Sequence, residues 1–423
     1  MLYVRPITLA LALPLLGATF PGHAEVTADA VLEQYADVAH AMYEDALLTA
    51  RELQTAVDTL IEQPTGDNLA AAREAWRAAR VPYQQTEGFR FGNPLVDEWE
   101  GRVNAWPLDE GLIDYVDTGL YGETSDMNPL YGANVIASPA LQIGGQEVDV
   151  SEITKALLQD QLHEAGEVEA NVATGYHAVE FLLWGQDLHG TGPGAGERPA
   201  TDFDPDNCTG GNCERRGDYL RVATELLIDD LQEMVDAWGA EGDARTAVMA
   251  GDDDAGLAMI LTGLGSLSYG ELAGERMQLG LMLHDPEEEH DCFADNTHNS
   301  HYYNQVGMMT IYTGEYQRVD GSRVSGPGMD DYALVHAPGV NTRVLARMND
   351  TLAAMQVMKD AADQGMAYDQ MLAMDNPEGN AIIQGAVDEL VAQARAIEDL
   401  VAELGLTITV EGSDSLDNPA LVQ

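Results

Sequence analysis

The first chemically suggestive pattern in the sequence is an imidazole and a carboxylate three residues apart in an apolar stretch. His177 and Glu180 lie in the segment Gly175-Tyr-His-Ala-Val-Glu180, and apolar residues flank this segment on both sides. Positions three apart share one face of a helix, so both side chains would point the same way. A buried charge needs a partner, and histidine with a carboxylate suits a transition metal. The alternative is an ordinary core histidine beside a satisfied glutamate.

Two further regions offer carboxylates to such a site. Glu87 shares a helical face with Arg90, near the end of a predicted helix. Glu271 and Glu275 lie four residues apart on a long and unusually apolar predicted helix, and Arg276 follows them directly. Each pattern also has a plainer interpretation. For Glu87 it is a surface ion pair with Arg90. For Glu271 and Glu275 it is an internal ion pair that includes Arg276.

The densest group of candidate ligands lies between residues 284 and 301. Four of the ten histidines of the chain fall in this stretch, beside six acidic residues that include Asp291. This composition is typical of a metal-binding segment, although a solvated acidic loop has the same composition. The sequence leaves open whether this stretch approaches His177, and therefore whether there is one site or two.

The composition narrows the range of partners. The chain has 423 residues and carries 20 Lys+Arg against 72 Asp+Glu, which gives a formal net charge of −52. Nucleic acid is an unlikely partner, because binding to phosphates requires clustered basic residues. An acidic surface attracts cations, but general adaptation to high salt would produce the same charge. The sequence contains no zinc-protease His-Glu-x-x-His motif and no nucleotide-binding fingerprint.

The N-terminus and the cysteines indicate export. Residues 1–24 have the pattern of a cleaved signal peptide: a short basic start, an apolar run and a small-residue cleavage site. An uncleaved anchor is the alternative, and we expect no transmembrane segment in the mature chain. In an oxidising compartment, Cys208 and Cys213 are expected to form a disulfide. Cys292 would then remain as a small buried residue or, as the minority interpretation, a metal ligand or reactive thiol.

The elements that must position these residues are predominantly helices. Apolar periodicity predicts an all-α fold of two helical-bundle halves, with long irregular loops over 185–217 and 285–338. The predicted division is an N-terminal bundle over 25–200, a connecting loop over 201–217, a C-terminal bundle over 218–412 and a loose tail over 413–423. The halves are compatible with a duplication, although their sequences show little similarity. The main predicted helices cover 26–62, 67–89, 151–165, 167–184, 218–239, 255–283, 340–362 and 378–404, with a short strand over 407–410.

Several of these motifs together resemble one known family. The Gly-x-His-x-x-Glu segment over 175–180 resembles the signature of imelysin-like proteins. Four other blocks are similar to the iron-regulated protein A branch of that family, and the resemblance spans nearly the whole mature chain. These blocks cover residues 85–92, 96–111, 270–277 and 288–298.

The resemblance implies a two-bundle fold, a periplasmic or outer-surface location and a link to iron uptake. It also implies a bound metal, with iron favoured and zinc or another divalent ion as the alternative. Carried over by motif, the implied metal ligands are His177, Glu180, Glu87, Asp109 and Glu271. A second set belongs to blocks typical of the branch and has no assigned role: Glu275, Asp291 and His298.

Three functions follow as hypotheses. The first is a periplasmic iron-binding protein that supports iron acquisition, with outer-membrane or periplasmic uptake components as its partners. The second is a metallopeptidase, because the family is also grouped with peptidases; a bound metal would then activate water, with a carboxylate as general base. The third is a binding module for haem, chelated iron or a membrane partner.

Overall fold

The fold was analysed in a computed structural model that describes residues 26–422. The predicted signal peptide lies outside the described residues. The described chain is predominantly helical, which confirms the all-α prediction. Among these residues, no helix combines the length and the apolar character needed to cross a membrane.

Sixteen α-helices follow one another along the described chain. Their bounds are α1 Ala28–Glu62, α2 Gly66–Gln84, α3 Pro94–Asn104, α4 Glu110–Ile113, α5 Lys155–Leu157, α6 Gly175–Trp184, α7 Cys213–Trp238, α8 Asp243–Met249, α9 Asp253–Ser266, α10 Leu279–Leu283, α11 Thr297–Thr313, α12 Met329–His336, α13 Pro338–Asp363, α14 Tyr368–Leu372, α15 Pro377–Leu404 and α16 Asp414–Asp417.

Shorter elements connect these helices. Two antiparallel hairpins pair β1 (Ala140–Ile143) with β2 (Gln146–Asp149) and β3 (Glu315–Gln317) with β4 (Arg323–Ser325). Three-residue 3-10 turns occur at Glu87–Phe89 and Pro286–Glu288, and a four-residue one at Ala200–Phe203. Two segments are π-helical: Leu158–Leu162 and Leu267–Gln278.

The long helices form two packed groups that share one hydrophobic core. In the first group α1 packs along α2 and α7, and α6 packs against α2, α3 and α7. In the second group α15 packs against α13, α9 and the π-helical segment Leu267–Gln278, while α11 packs against α13. The groups meet where α2 contacts α11. Helix α7 packs along α1, and the predicted division at 201–217 stays a prediction about the halves of the chain.

The structure differs from the sequence expectations in several places. The predicted helix over 151–165 is a shorter helical stretch over 155–162, and its second part is π-helical. The predicted helix over 167–184 begins only at Gly175, after a stretch of turns. Helices α11 and α12 lie in the region predicted to be irregular. The sequence did not indicate α11, because this helix is polar along much of its length and lacks a clear apolar stripe. Residues 407–410 form no strand within the described chain and have no regular secondary structure.

Gly175 fixes the position of α6. Its φ angle is +78°, and a Cβ atom there would lie 2.4 Å from the carbonyl oxygen of Val103 at the end of α3. Only glycine adopts this conformation without strain and permits so close an approach. The glycine of the Gly-x-His-x-x-Glu motif therefore brings α6 against α3.

We expect Gly175→Ala to lower the free energy of unfolding by about 2 to 4 kcal/mol, because it adds both backbone strain and a steric clash. Urea unfolding monitored by circular dichroism measures the change. Gly385→Ala is the matched control, since a Cβ atom there meets nothing within 4 Å. The control should be neutral or slightly stabilising. Equal stability of the Gly175→Ala variant and the native chain would contradict this account.

Candidate metal centre

The short helix α6 buries the imidazole and carboxylate that the sequence singled out. His177 and Glu180 are 1% and 0% exposed. The Nδ1 atom of His177 lies 2.9 Å from Oε2 of Glu180, and the other carboxylate oxygen of Glu180 accepts a hydrogen bond from the backbone N–H of Ala294 at 3.0 Å. Glu180 therefore holds the ring, and Nε2 of His177 has no hydrogen-bond partner among the described residues.

The segment before α11 meets His177, so the two candidate regions form one site. The ring of His290 lies with its centroid 4.8 Å from that of His177, nearly perpendicular to it. His177, His290 and Asp291 each offer one ligand atom, and these atoms all lie within 4.8 Å of one another. All three residues are buried. Two imidazoles and a carboxylate thus converge where α6 meets the second group of helices.

Arg80 of α2 connects the components of this site. Its guanidinium donates to Asp291 at 2.7 Å and to the side-chain oxygen of Asn104 at 2.6 Å, and it lies 3.4 Å from Nδ1 of His290. The second carboxylate oxygen of Asp291 accepts from Asn296 at 2.8 Å and from Ser300 at 2.5 Å. Asp291 is therefore a buried but fully compensated anion.

Burial and local charge keep both imidazoles neutral. Burial lowers the pKa of His177 to about 3, and the charge of Arg80 adds to the effect. Burial likewise lowers the pKa of His290 well below its ordinary value. For Asp291 the cost of burial is the largest single effect, but Arg80 together with His290 and His177 outweighs it, and the pKa of Asp291 lies well below the ordinary value. Burial raises the pKa of Glu180 well above its usual range. Neutral imidazoles are the form that binds metals.

Glu87 and Glu271 lie in an adjoining network of ion pairs. Arg276 donates to Glu87 at 2.7 Å and to Glu271 at 2.8 Å. Asn104 reaches Glu87 at 3.3 Å, which links this network to Arg80. Glu271 and Arg276 therefore form the internal ion pair that was the plainer interpretation. Glu87 is buried and pairs with Arg276, so it does not form a surface pair with Arg90.

A cleft of about 450 Å³ leads to this region. His290 is the residue of the candidate centre that lines this cleft. Four carboxylates and two guanidinium groups also line it, so acidic groups are in excess. They are Glu100, Glu271, Glu275 and Glu288 with Arg90 and Arg276.

The remaining sequence candidates lie apart from His177. Asp109 precedes α4, and its carboxylate accepts from Asn128 at 2.5 Å. His298 lies beside Asn299, whose side-chain nitrogen is 3.0 Å from Nε2 of the ring. Neither residue belongs to the group around His177. Cys208 and Cys213 form a disulfide, and Cys292 is a free, buried cysteine.

Sequence reasoning passed over Arg80 and Asn104, although Arg80 connects the whole site. A signal was present, because Arg80 lies four residues after Trp76 and three before Tyr83, on the buried stripe of α2. A charged residue on an apolar stripe needs a partner, and here the partner comes from the region of residues 284–301.

The comparison with known proteins identifies the family. The family model described as Imelysin matches residues 39–397, which is most of the chain. The chain belongs to the imelysin family. Iron-regulated protein A from Synechococcus elongatus is 44% identical to it over 64 residues, a stretch that spans 15% of this imelysin and 18% of that relative.

A solved structure shares the fold of this imelysin. The crystal structure is described as an iron-regulated protein A precursor from Parabacteroides distasonis, and it superposes with a TM-score of 0.62 at 17% sequence identity. The superposition covers 90% of this chain and 97% of that one. At this identity the likeness establishes the fold alone.

The low pKa of His177 predicts a specific pH dependence in the metal-stripped protein. Between pH 6.5 and about 3 the unfolded state binds a proton at this residue and the folded state does not, so stability falls as the pH falls. The stability difference between the native chain and His177→Gln should therefore shrink by about 1.4 kcal/mol per pH unit.

Urea unfolding in EDTA from about pH 7 to about pH 4.5 measures this difference. The exposed His336 provides the control, because His336→Gln should run parallel to the native chain. A pH-independent difference between the native chain and His177→Gln would show that His177 is not held neutral by the fold.

Proposed function

We propose that this imelysin is an exported protein that binds iron at the His177 centre and supports iron acquisition. The observation that carries the proposal is the buried Nε2 atom of His177. Among residues 26–422 this atom has no hydrogen-bond partner. His177, His290 and Asp291 each offer one ligand atom, and these three atoms lie within 4.8 Å of one another. A buried polar atom left unpaired is costly, and a metal ion would satisfy it.

The donor set fits iron. Two neutral imidazoles and one carboxylate are the set typical of non-haem Fe(II) sites, and they also accept zinc. In this proposal His177, His290 and Asp291 hold the ion, whereas Glu180 orients His177 through Nδ1, as carboxylates commonly do behind a metal-bound histidine. Glu87 and Glu271 support the site through Arg276 instead of contacting the ion.

Electrostatics favour capture of cations from solution. Four carboxylates against two arginines line the cleft, and the chain as a whole carries a formal charge of −52. Both raise the local cation concentration without selecting one ion, and the buried imidazoles favour a transition metal over Ca²⁺ or Mg²⁺. The names of the relatives, iron-regulated protein A, support a role in iron acquisition. The predicted signal peptide supports export to the periplasm. Uptake components at the outer membrane or in the periplasm are the proposed partners.

The site geometry favours binding over peptide hydrolysis. A metallopeptidase needs a carboxylate free to take a proton from metal-bound water. Here Glu180 is occupied by His177 and the Ala294 amide, and Asp291 is assigned to the ion itself and is bonded to Arg80. We therefore expect no cleavage of casein or insulin by the iron-loaded or zinc-loaded protein.

Calorimetry on the metal-stripped protein tests the proposal, with Fe(II) titrated anaerobically and Zn(II) titrated separately. The native chain should bind one Fe(II), and His177→Ala and His290→Ala should each weaken binding at least about 100-fold, because each removes a ligand. His336→Ala, at an exposed position, should bind as the native chain does. Circular dichroism confirms that each variant is folded. Absence of Fe(II) binding by the native chain, or zinc-dependent cleavage lost in His177→Ala, would overturn the proposal.

Glu180→Gln separates an orienting role from direct ligation. The amide retains the size of the carboxylate and its ability to hydrogen-bond to the ring, so we expect Fe(II) affinity to fall by about 10-fold to 100-fold. The same calorimetric titration measures the effect. A loss as large as that of His177→Ala would instead place Glu180 among the metal ligands.

A further inference from the structure

A second group of carboxylates lies next to the candidate metal centre. Glu289, Asp295 and Asp369 each place one carboxylate oxygen within 4.8 Å of the other two. Glu289 and Asp295 come from the segment before α11, and Asp369 comes from the first turn of α14. Glu289 and Asp369 are 1% and 0% exposed, so two of the three carboxylates are fully buried.

These carboxylates lack the partners that buried anions normally have. Within residues 26–422, Oε1 of Glu289, Oδ1 of Asp295 and both carboxylate oxygens of Asp369 have no hydrogen-bond partner. The charged groups that act most strongly on Glu289 and Asp369 are other acidic side chains. Asp291, in contrast, is compensated by Arg80, Asn296 and Ser300. Buried like charges must be neutralised, either by protonation or by a bound cation, and a cation would use all of the unpartnered oxygens at once.

We propose that Glu289, Asp295 and Asp369 bind a calcium ion. The donors are all carboxylate oxygens, which hard cations prefer and which offer no imidazole or thiolate to a softer metal. Two oxygens that each bind Ca²⁺ at about 2.4 Å can lie up to about 4.8 Å apart, so a group within 4.8 Å fits one Ca²⁺ ion. Mg²⁺ keeps several of its waters and is usually held by only one or two carboxylates, so a group of three carboxylates favours Ca²⁺.

The position of this site gives the ion a structural role. Glu289 directly precedes His290, and Asp295 directly follows Ala294, whose backbone N–H donates to Glu180. Calcium would therefore fasten both ends of the segment 289–295 to α14. This segment carries two of the residues that face His177. Calcium binding does not depend on whether the His177 centre takes iron.

Calcium titration of the metal-stripped protein tests the inference, by calorimetry and by thermal unfolding in about 0.15 M salt to suppress diffuse binding to the acidic surface. The native chain should bind one Ca²⁺ above any diffuse background, and Ca²⁺ should raise its melting temperature. Asp369→Asn should weaken Ca²⁺ binding at least about tenfold, because it removes a charged ligand. Asp375→Asn, at a nearby exposed position, should behave as the native chain does.

The two proposed sites can be tested separately. His177→Ala should retain Ca²⁺ binding, and Asp369→Asn should retain a folded structure by circular dichroism. The calcium site is refuted if the native chain shows neither stoichiometric Ca²⁺ binding nor a thermal shift. It is also refuted if Asp369→Asn and Asp375→Asn bind Ca²⁺ equally. Loss of Fe(II) binding alone leaves the calcium result unaffected.

Discussion

The ion pair between Arg80 and Asp291 is the interaction on which the site depends. Both side chains are almost fully buried, at 1% and 0% exposure, and they join α2 of the first helical group to the segment that precedes α11 of the second. Breaking such a pair by removing one partner typically costs 3 to 5 kcal/mol, since the other charge is then left uncompensated. The same guanidinium approaches His290 and bonds Asn104, so it sets the relative positions of three separate segments.

Two charge networks with different chemistry meet at this junction. Around Arg276 and Arg80 each carboxylate has a cationic or amide partner, and the result is a rigid, nearly neutral interior. Around Asp369 the carboxylates have none among the described residues. The contrast separates carboxylates whose charge the protein itself compensates from carboxylates that have no such partner within residues 26–422.

Much of the fold could be predicted from local pattern, because long helices repeat their apolar residues every three to four positions. Helix α1 and helix α15 follow that rule closely. Helix α11 does not, since its buried face includes His301, Asn304 and Gln305, whose partners are distant in sequence. For the same reason the pairing of His177 with Glu180 was visible locally, whereas the approach of His290 and Arg80 to His177 depends on how the two groups of helices pack.

The π-helical segment Leu267–Gln278 decides which of its own side chains face one another. Residues five apart lie over one another in a π-helix, and Glu271 and Arg276 are five apart and bond at 2.8 Å. In an α-helix the neighbours are three and four residues apart, so the same two side chains would diverge. The wider turn therefore lets one arginine bind a glutamate of its own helix and Glu87 of another element at once.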